Sequence, residues 1–177
     1  MRKSKTAKLA LCGVLAALAV ALMFLGGAVP FASIACPVLA SVVLLPVYAE
    51  LGYKWGLLWY GAVAALSLLI APDKEGAILF VALGYYPMLH KLFGRLRGQV
   101  LKWLAKLLYL NAATVGAYLL MLYVFCIESV VRDFEGVQAV MLALILLLAN
   151  ISFVVYDLLL DRLEIFYHVR LRPKLKL

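Results

Sequence analysis

Residues 7–29, AKLALCGVLAALAVALMFLGGAV, carry one charged side chain, that of Lys8, in an otherwise apolar run. The run is longer than the ~20 residues a helix needs to cross the hydrocarbon of a bilayer, so it predicts a membrane span. Small residues recur along it: Gly13, Ala17 and Ala21 stand at i, i+4 and i+8, one above another on a single helical face. Such a strip lets the backbone of another helix approach closely, either inside the same bundle or on a partner protein. Gly26, Gly27 and Pro30 then stop the helix.

Five further apolar segments follow, giving spans of about 7–29, 33–49, 55–71, 77–92, 101–126 and 137–160. The chain is 67% hydrophobic with a mean hydropathy of +1.06, where a soluble domain is nearer ~45–50% apolar. The expected fold is an all-α integral membrane protein, a single six-transmembrane-helix bundle over residues 1–177. Pro37 and Pro46 can kink the second span, and Gly84-Tyr85-Tyr86-Pro87 predicts a kink in the fourth. The opening MRKSK before an apolar run also looks like a signal peptide, but the apolar core is too long for one, so a retained helix is expected.

Lys and Arg residues set the orientation. With the N-terminus inside, 15 of the 17 basic residues fall at inner ends, and only Lys74 and Arg132 fall outside. Both termini are therefore expected in the cytoplasm of a multi-pass plasma-membrane protein. The net charge of +8 is spent on these ends and gives no reason to expect nucleic acid. Tyr53, Trp55, Tyr85, Tyr86, Trp103 and Tyr167 are expected near the inner interface, as anchoring aromatics. Cys12, Cys36 and Cys126 lack metal-ligand spacing, so no metal or cofactor is expected. They read as small apolar residues, with a Cys36–Cys126 disulfide left open.

Polar residues inside the spans carry two readings each. Lys91, Arg95, Lys102 and Lys106 share a face if the fourth and fifth spans are joined helically, and Asn150, Asp157, Asp161 and Glu164 form a stripe on the sixth. These are snorkelling lysines and interhelical ion pairs, or a docking surface. Asn111, Thr114 and Tyr118 line one face of the fifth span, with Asn150 at comparable depth on the sixth. An Asn111–Asn150 hydrogen bond, or the floor of a solute pocket, answers the need of an amide in hydrocarbon for partners. Toward the outer side, Glu75, Tyr118, Tyr123 and Glu128 are either ordinary polarity near loops or a site for a small polar, ring-bearing solute. His90, next to Lys91, reads as an interfacial residue.

No enzyme is expected, since the chain lacks a GxxxxGK[ST] loop, an HExxH pair and a GxSxG elbow. A basic tail, an Ala/Gly-rich first helix with small residues every four positions, and six short spans resemble the substrate-binding S component of energy-coupling factor (ECF) vitamin transporters. The lines ALCGVLAALAVALMFLG, AELGYKWGLLWYGAVAALSLLIAPDKEGAILF and ALGYYPMLHKLFGRL carry that likeness. The family's Ala-x-x-x-Ala docking motif maps onto Gly13, Ala17 and Ala21, with glycine at the first position.

The resemblance implies a membrane subunit that captures a vitamin or related micronutrient and docks on a transmembrane coupling subunit driven by two cytoplasmic ATPase subunits. Composition points the same way. Residues 1–71 hold 15 Ala and 6 Gly, while residues 98–165 hold 7 and 3, which suggests a close-approach surface on the first three spans and a solute site in the last three. The alternative is a non-transport scaffold of MreD-like type, also six short helices, organising a membrane complex.

Overall fold

A computed structural model describes residues 2–29, 32–123 and 139–175. The described residues are almost entirely helical: α1 (Arg2–Ala28), α2 (Ala32–Val42), α3 (Leu44–Leu51), α4 (Tyr53–Ile70), α5 (Lys74–Leu83), α6 (Tyr86–Phe93), α7 (Gln99–Tyr123) and α8 (Ala139–Phe166), then a π-helical turn, Tyr167–Leu171, and a last turn, α9 (Arg172–Leu175). Six stretches among them are long and apolar enough to cross a membrane: Thr6–Ala28, Ala32–Leu51, Tyr53–Ile70, Lys74–Phe93, Gln99–Met121 and Leu144–Arg170. The protein is thus a multi-pass membrane protein.

Two spans are broken, and proline chemistry explains both. Pro46 cannot donate to the Val42 carbonyl, and the second span is interrupted at Val43 between α2 and α3. Pro37 lies inside α2 without ending it. The Ser33 carbonyl, deprived of the N–H that Pro37 lacks, faces the backbone of Gly76 on α5. The fourth span breaks at Gly84–Tyr85, just ahead of Pro87. That break would strand the Val81 and Ala82 carbonyls in a medium without water. Tyr60 donates its hydroxyl to Val81 O, and Tyr109 donates to Ala82 O at 2.7 Å. Two tyrosines from neighbouring helices therefore satisfy the backbone that the kink exposes.

The main core is built by α1 to α6 around Ala19, Met23, Ala40, Leu44, Val47, Trp59, Val63, Ala77, Phe80 and Met88. Small side chains among them bring the helices close. At the far end of α1 the approach is closest, for a Cβ on Gly27 would stand 2.5 Å from Pro72 Cγ and 2.8 Å from Asp73 N. Trp59 Nε1 donates to Cys12 O at 3.0 Å and ties α4 to α1. At the other end Gly52, with φ +89°, makes the tight turn between α3 and α4, a backbone shape that glycine adopts freely. Helix α7 packs on α5 through Ile78, Ala117 and Met121. Helix α8 joins through Phe153 and Leu160, which meet Tyr86 and Leu110, and leaves Leu144, Leu147, Leu148, Ile151, Val155, Leu158 and Leu159 exposed as a lipid-facing surface would require.

Candidate functional site

The strip on α1 lies on the outside. Gly13, Ala17 and Ala21 are all exposed, and no atom comes within 4 Å of the place a Gly13 Cβ would occupy. The inward face of α1 is a different one, carrying Ala19 and Met23 with Cys12, Leu15, Ala16 and Val20 beside them. The strip is therefore not consumed by packing among the described residues.

The residues expected around a solute are only partly brought together. Glu75 sits in the first turn of α5, where Asp73 caps the helix by accepting from Glu75 N at 3.0 Å. Tyr118 is half-buried at the seam of α5 and α7, against the Ile78, Ala117 and Met121 cluster. Asn111 and Asn150 form a reciprocal pair. Asn111 Nδ2 donates to Asn150 Oδ1 at 3.2 Å, and Asn150 Nδ2 donates to Asn111 Oδ1 at 3.3 Å. Each amide also donates back to its own helix, to Leu107 O at 2.8 Å and to Leu146 O at 2.7 Å. The interhelical bond is thus the observed arrangement of these amides, with polar groups of one helix satisfied by the next. The side chain of Tyr123 and all of Glu128 lie outside the described residues, as does Cys126. Lys74 turns back to cap α4, donating to Leu68 O at 2.8 Å.

The most concentrated polar chemistry lies elsewhere, between α6, α7 and α8. Asp157 is 1% exposed. Its Oδ1 accepts from the Tyr86 hydroxyl and faces His90 Nδ1 at 2.7 Å, and its Oδ2 accepts from Lys106 Nζ at 2.6 Å. His90 Nε2 faces Asp161 Oδ1 at 2.9 Å, one turn further along α8. Lys91 pairs with Glu164 at 2.8 Å. The acidic stripe on α8 is therefore matched, turn by turn, by basic side chains on two neighbouring helices. Around the cluster runs a chain of rings: Tyr60–Tyr85, Tyr85–Tyr109, Tyr109–Tyr86 and Tyr86–Phe153, with centroids 5.5, 5.7, 5.6 and 4.7 Å apart. Ser41 donates to Val38 O, so its oxygen accepts from the Tyr156 hydroxyl at 2.6 Å.

Three expectations about this end are corrected. Tyr86 is fully buried and Tyr167 is 3% exposed, so neither is an interfacial anchor, whereas Tyr53 and Trp55 are exposed. Tyr86 is drawn in by Asp157, and Tyr167 by Glu50, whose Oε1 its hydroxyl meets at 3.3 Å. His90 is not interfacial but buried between two carboxylates. The connection from α6 to α7 is not helical over residues 94–98, so Lys91 and Lys106 reach α8 from separate helices. Glu50, its side chain 2% exposed, also holds Lys8 at 3.2 Å and Arg172 at 2.9 Å, tying both ends of the chain to α3.

The signal for the Asp157 cluster was present as two matched spacings. Tyr86 and His90 are four apart on one span, and Asp157 and Asp161 are four apart on another. Each pair shares a helical face. Among the described residues, no group of three or more His, Cys, Asp or Glu is disposed to hold a metal ion. Compared with protein-family models, with curated proteins and with solved structures, the chain matches none.

Proposed function

We propose that this protein is the solute-capturing membrane subunit of an ECF-type importer for a vitamin or related micronutrient. In this reading both termini are cytoplasmic, and ATP hydrolysis is done by two partner subunits acting through a transmembrane coupling subunit. The observation that carries it is the outward strip Gly13, Ala17 and Ala21 on α1, where open space stands beside Gly13. A monomer gains nothing from keeping small residues on a lipid-facing helix face, while a partner helix gains close backbone approach. Solute would enter at the outer halves of α5, α7 and α8, near Glu75, Tyr118, Tyr123 and Glu128, with the Asn111–Asn150 pair beneath. A tyrosine there offers a flat apolar face and a hydroxyl to a ring-bearing ligand.

Co-expression with an energy-coupling module tests the docking half of the proposal. Ala17→Leu places bulk on the strip without touching the core, so it lowers the yield of the assembled complex while the isolated protein keeps its thermal stability. Wild-type assembly in Ala17→Leu would remove α1 from the docking surface.

A further inference from the structure

We propose that His90, Asp157 and Asp161 form a proton-binding site whose proton holds α6 against α8. The proposal stands on a count of donors and does not depend on the solute-import reading. An ionised carboxylate can only accept hydrogen bonds, and a neutral imidazole has one N–H and one lone pair. His90 presents both ring nitrogens to carboxylate oxygens, at 2.7 Å to Asp157 and 2.9 Å to Asp161. Both contacts are satisfied together only when the three residues hold one proton more than a neutral imidazole and two carboxylates supply. The proton belongs to the unit rather than to one atom of it.

The surroundings define the rest of the charge. From α7, Lys106 occupies the other oxygen of Asp157, and from α6 itself Tyr86 donates to the same carboxylate. Lys91 on α6 is turned to Glu164 of α8 and lies 5.7 Å from the ring of Tyr48 on α3. Lys106 therefore balances Asp157, and the extra proton balances Asp161. Without that proton an unshared ring nitrogen faces a carboxylate, and one negative charge is left uncompensated at the α6–α8 contact. The ring lone pair and the carboxylate oxygen then repel each other at this distance, which weakens the α6–α8 contact.

Access and movement follow from the same geometry. The Asp161 side chain is 58% exposed, whereas those of His90 and Asp157 are 10% and 2% exposed, so exchange runs through Asp161. Helix α6 has eight residues and is broken from α5 at Gly84–Tyr85, so loss of the His90 contact removes one of its ties to α8, beside Tyr86–Asp157 and Lys91–Glu164.

The test uses the full chain in lipid nanodiscs, with His168→Gln leaving His90 as the sole histidine. Ring-nitrogen NMR from about pH 5 to about pH 9 reads the protonation of His90. Spin labels at Leu92→Cys and Ile165→Cys, with the native cysteines replaced by alanine, read the α6–α8 distance. The expected result is a single step in which His90 passes from two protonated nitrogens to one and the labels move apart. In Asp161→Asn the amide can donate to a neutral ring, so the contact no longer needs the extra proton and the distance ceases to follow pH. Asp161 is exposed enough for that variant to fold. A distance that ignores pH in the parent protein, or that still follows pH in Asp161→Asn, would overturn the proposal, as would a ring that never changes its protonation.

Discussion

Asp157→Asn isolates the energetic weight of the buried cluster. The side chain keeps its shape and one acceptor oxygen, so Tyr86 and His90 retain a partner. Lys106, 8% exposed, loses its counter-charge while remaining inside the bundle. Breaking a buried ion pair from one side costs about 3–5 kcal/mol, because the remaining charge is left without compensation. Against a net stability of about 5–15 kcal/mol that is a large fraction. At roughly 2–4 °C per kcal/mol for a chain of this size, Tm falls by about 6–20 °C. Thermal unfolding in one detergent, followed by a thiol-reactive dye or by circular dichroism, supplies the assay. The double variant Lys106→Met/Asp157→Asn removes the stranded cation and recovers most of the loss, since a buried pair is often no more stabilising than apolar residues of similar volume. The reasoning is refuted if Asp157→Asn melts with the parent protein, or if the double variant is no better than the single one.

Two further outcomes follow from close contacts and from charge placement. Gly27→Ala drives a methyl group to within 2.5 Å of Pro72 Cγ and costs about 1–3 kcal/mol of stability. Gly13→Ala meets nothing within 4 Å and gains up to about 1 kcal/mol of helix propensity, so the two variants shift Tm in opposite directions in the same assay. For orientation, in a cysteine-free background Lys74→Cys reacts with an impermeant maleimide added outside the cell and Arg97→Cys does not. The reverse labelling would invert the topology and move the proposed solute mouth to the wrong side.

The spans were legible because lipid imposes a simple rule: an apolar run of sufficient length must become a helix. The break at Gly84–Tyr85 was legible for a related reason, since Pro87 cannot donate into the preceding turn. The length of the last helix was less so. Asp157, Asp161, Arg162 and Glu164 look like the end of an apolar run, yet α8 continues through them to Phe166, with α6 and α7 supplying partners to the three carboxylates. The same partners explain why His90 and Tyr86 were misplaced. Each is an ordinary interfacial residue when its own span is considered alone, and burial follows only from the carboxylates of a helix about seventy positions away. The Asn111–Asn150 bond was foreseeable as one of two outcomes, since matched amides at matched depth have few other partners. Which face of α1 turns outward was not foreseeable, because Ala19 and Ala17 are equally small and only the packing of α2 and α4 chooses between them.

Capture of a small solute is the central claim, and native mass spectrometry of the protein purified from its host membrane measures it most directly. The expected spectrum shows one non-lipid small-molecule adduct per chain. For the molecule so identified, Tyr118→Ala weakens binding at least about tenfold, or about 1.4 kcal/mol, with the fold retained. A chain that carries no such adduct and co-purifies with a cell-shape-determining complex would contradict the account and favour the scaffold.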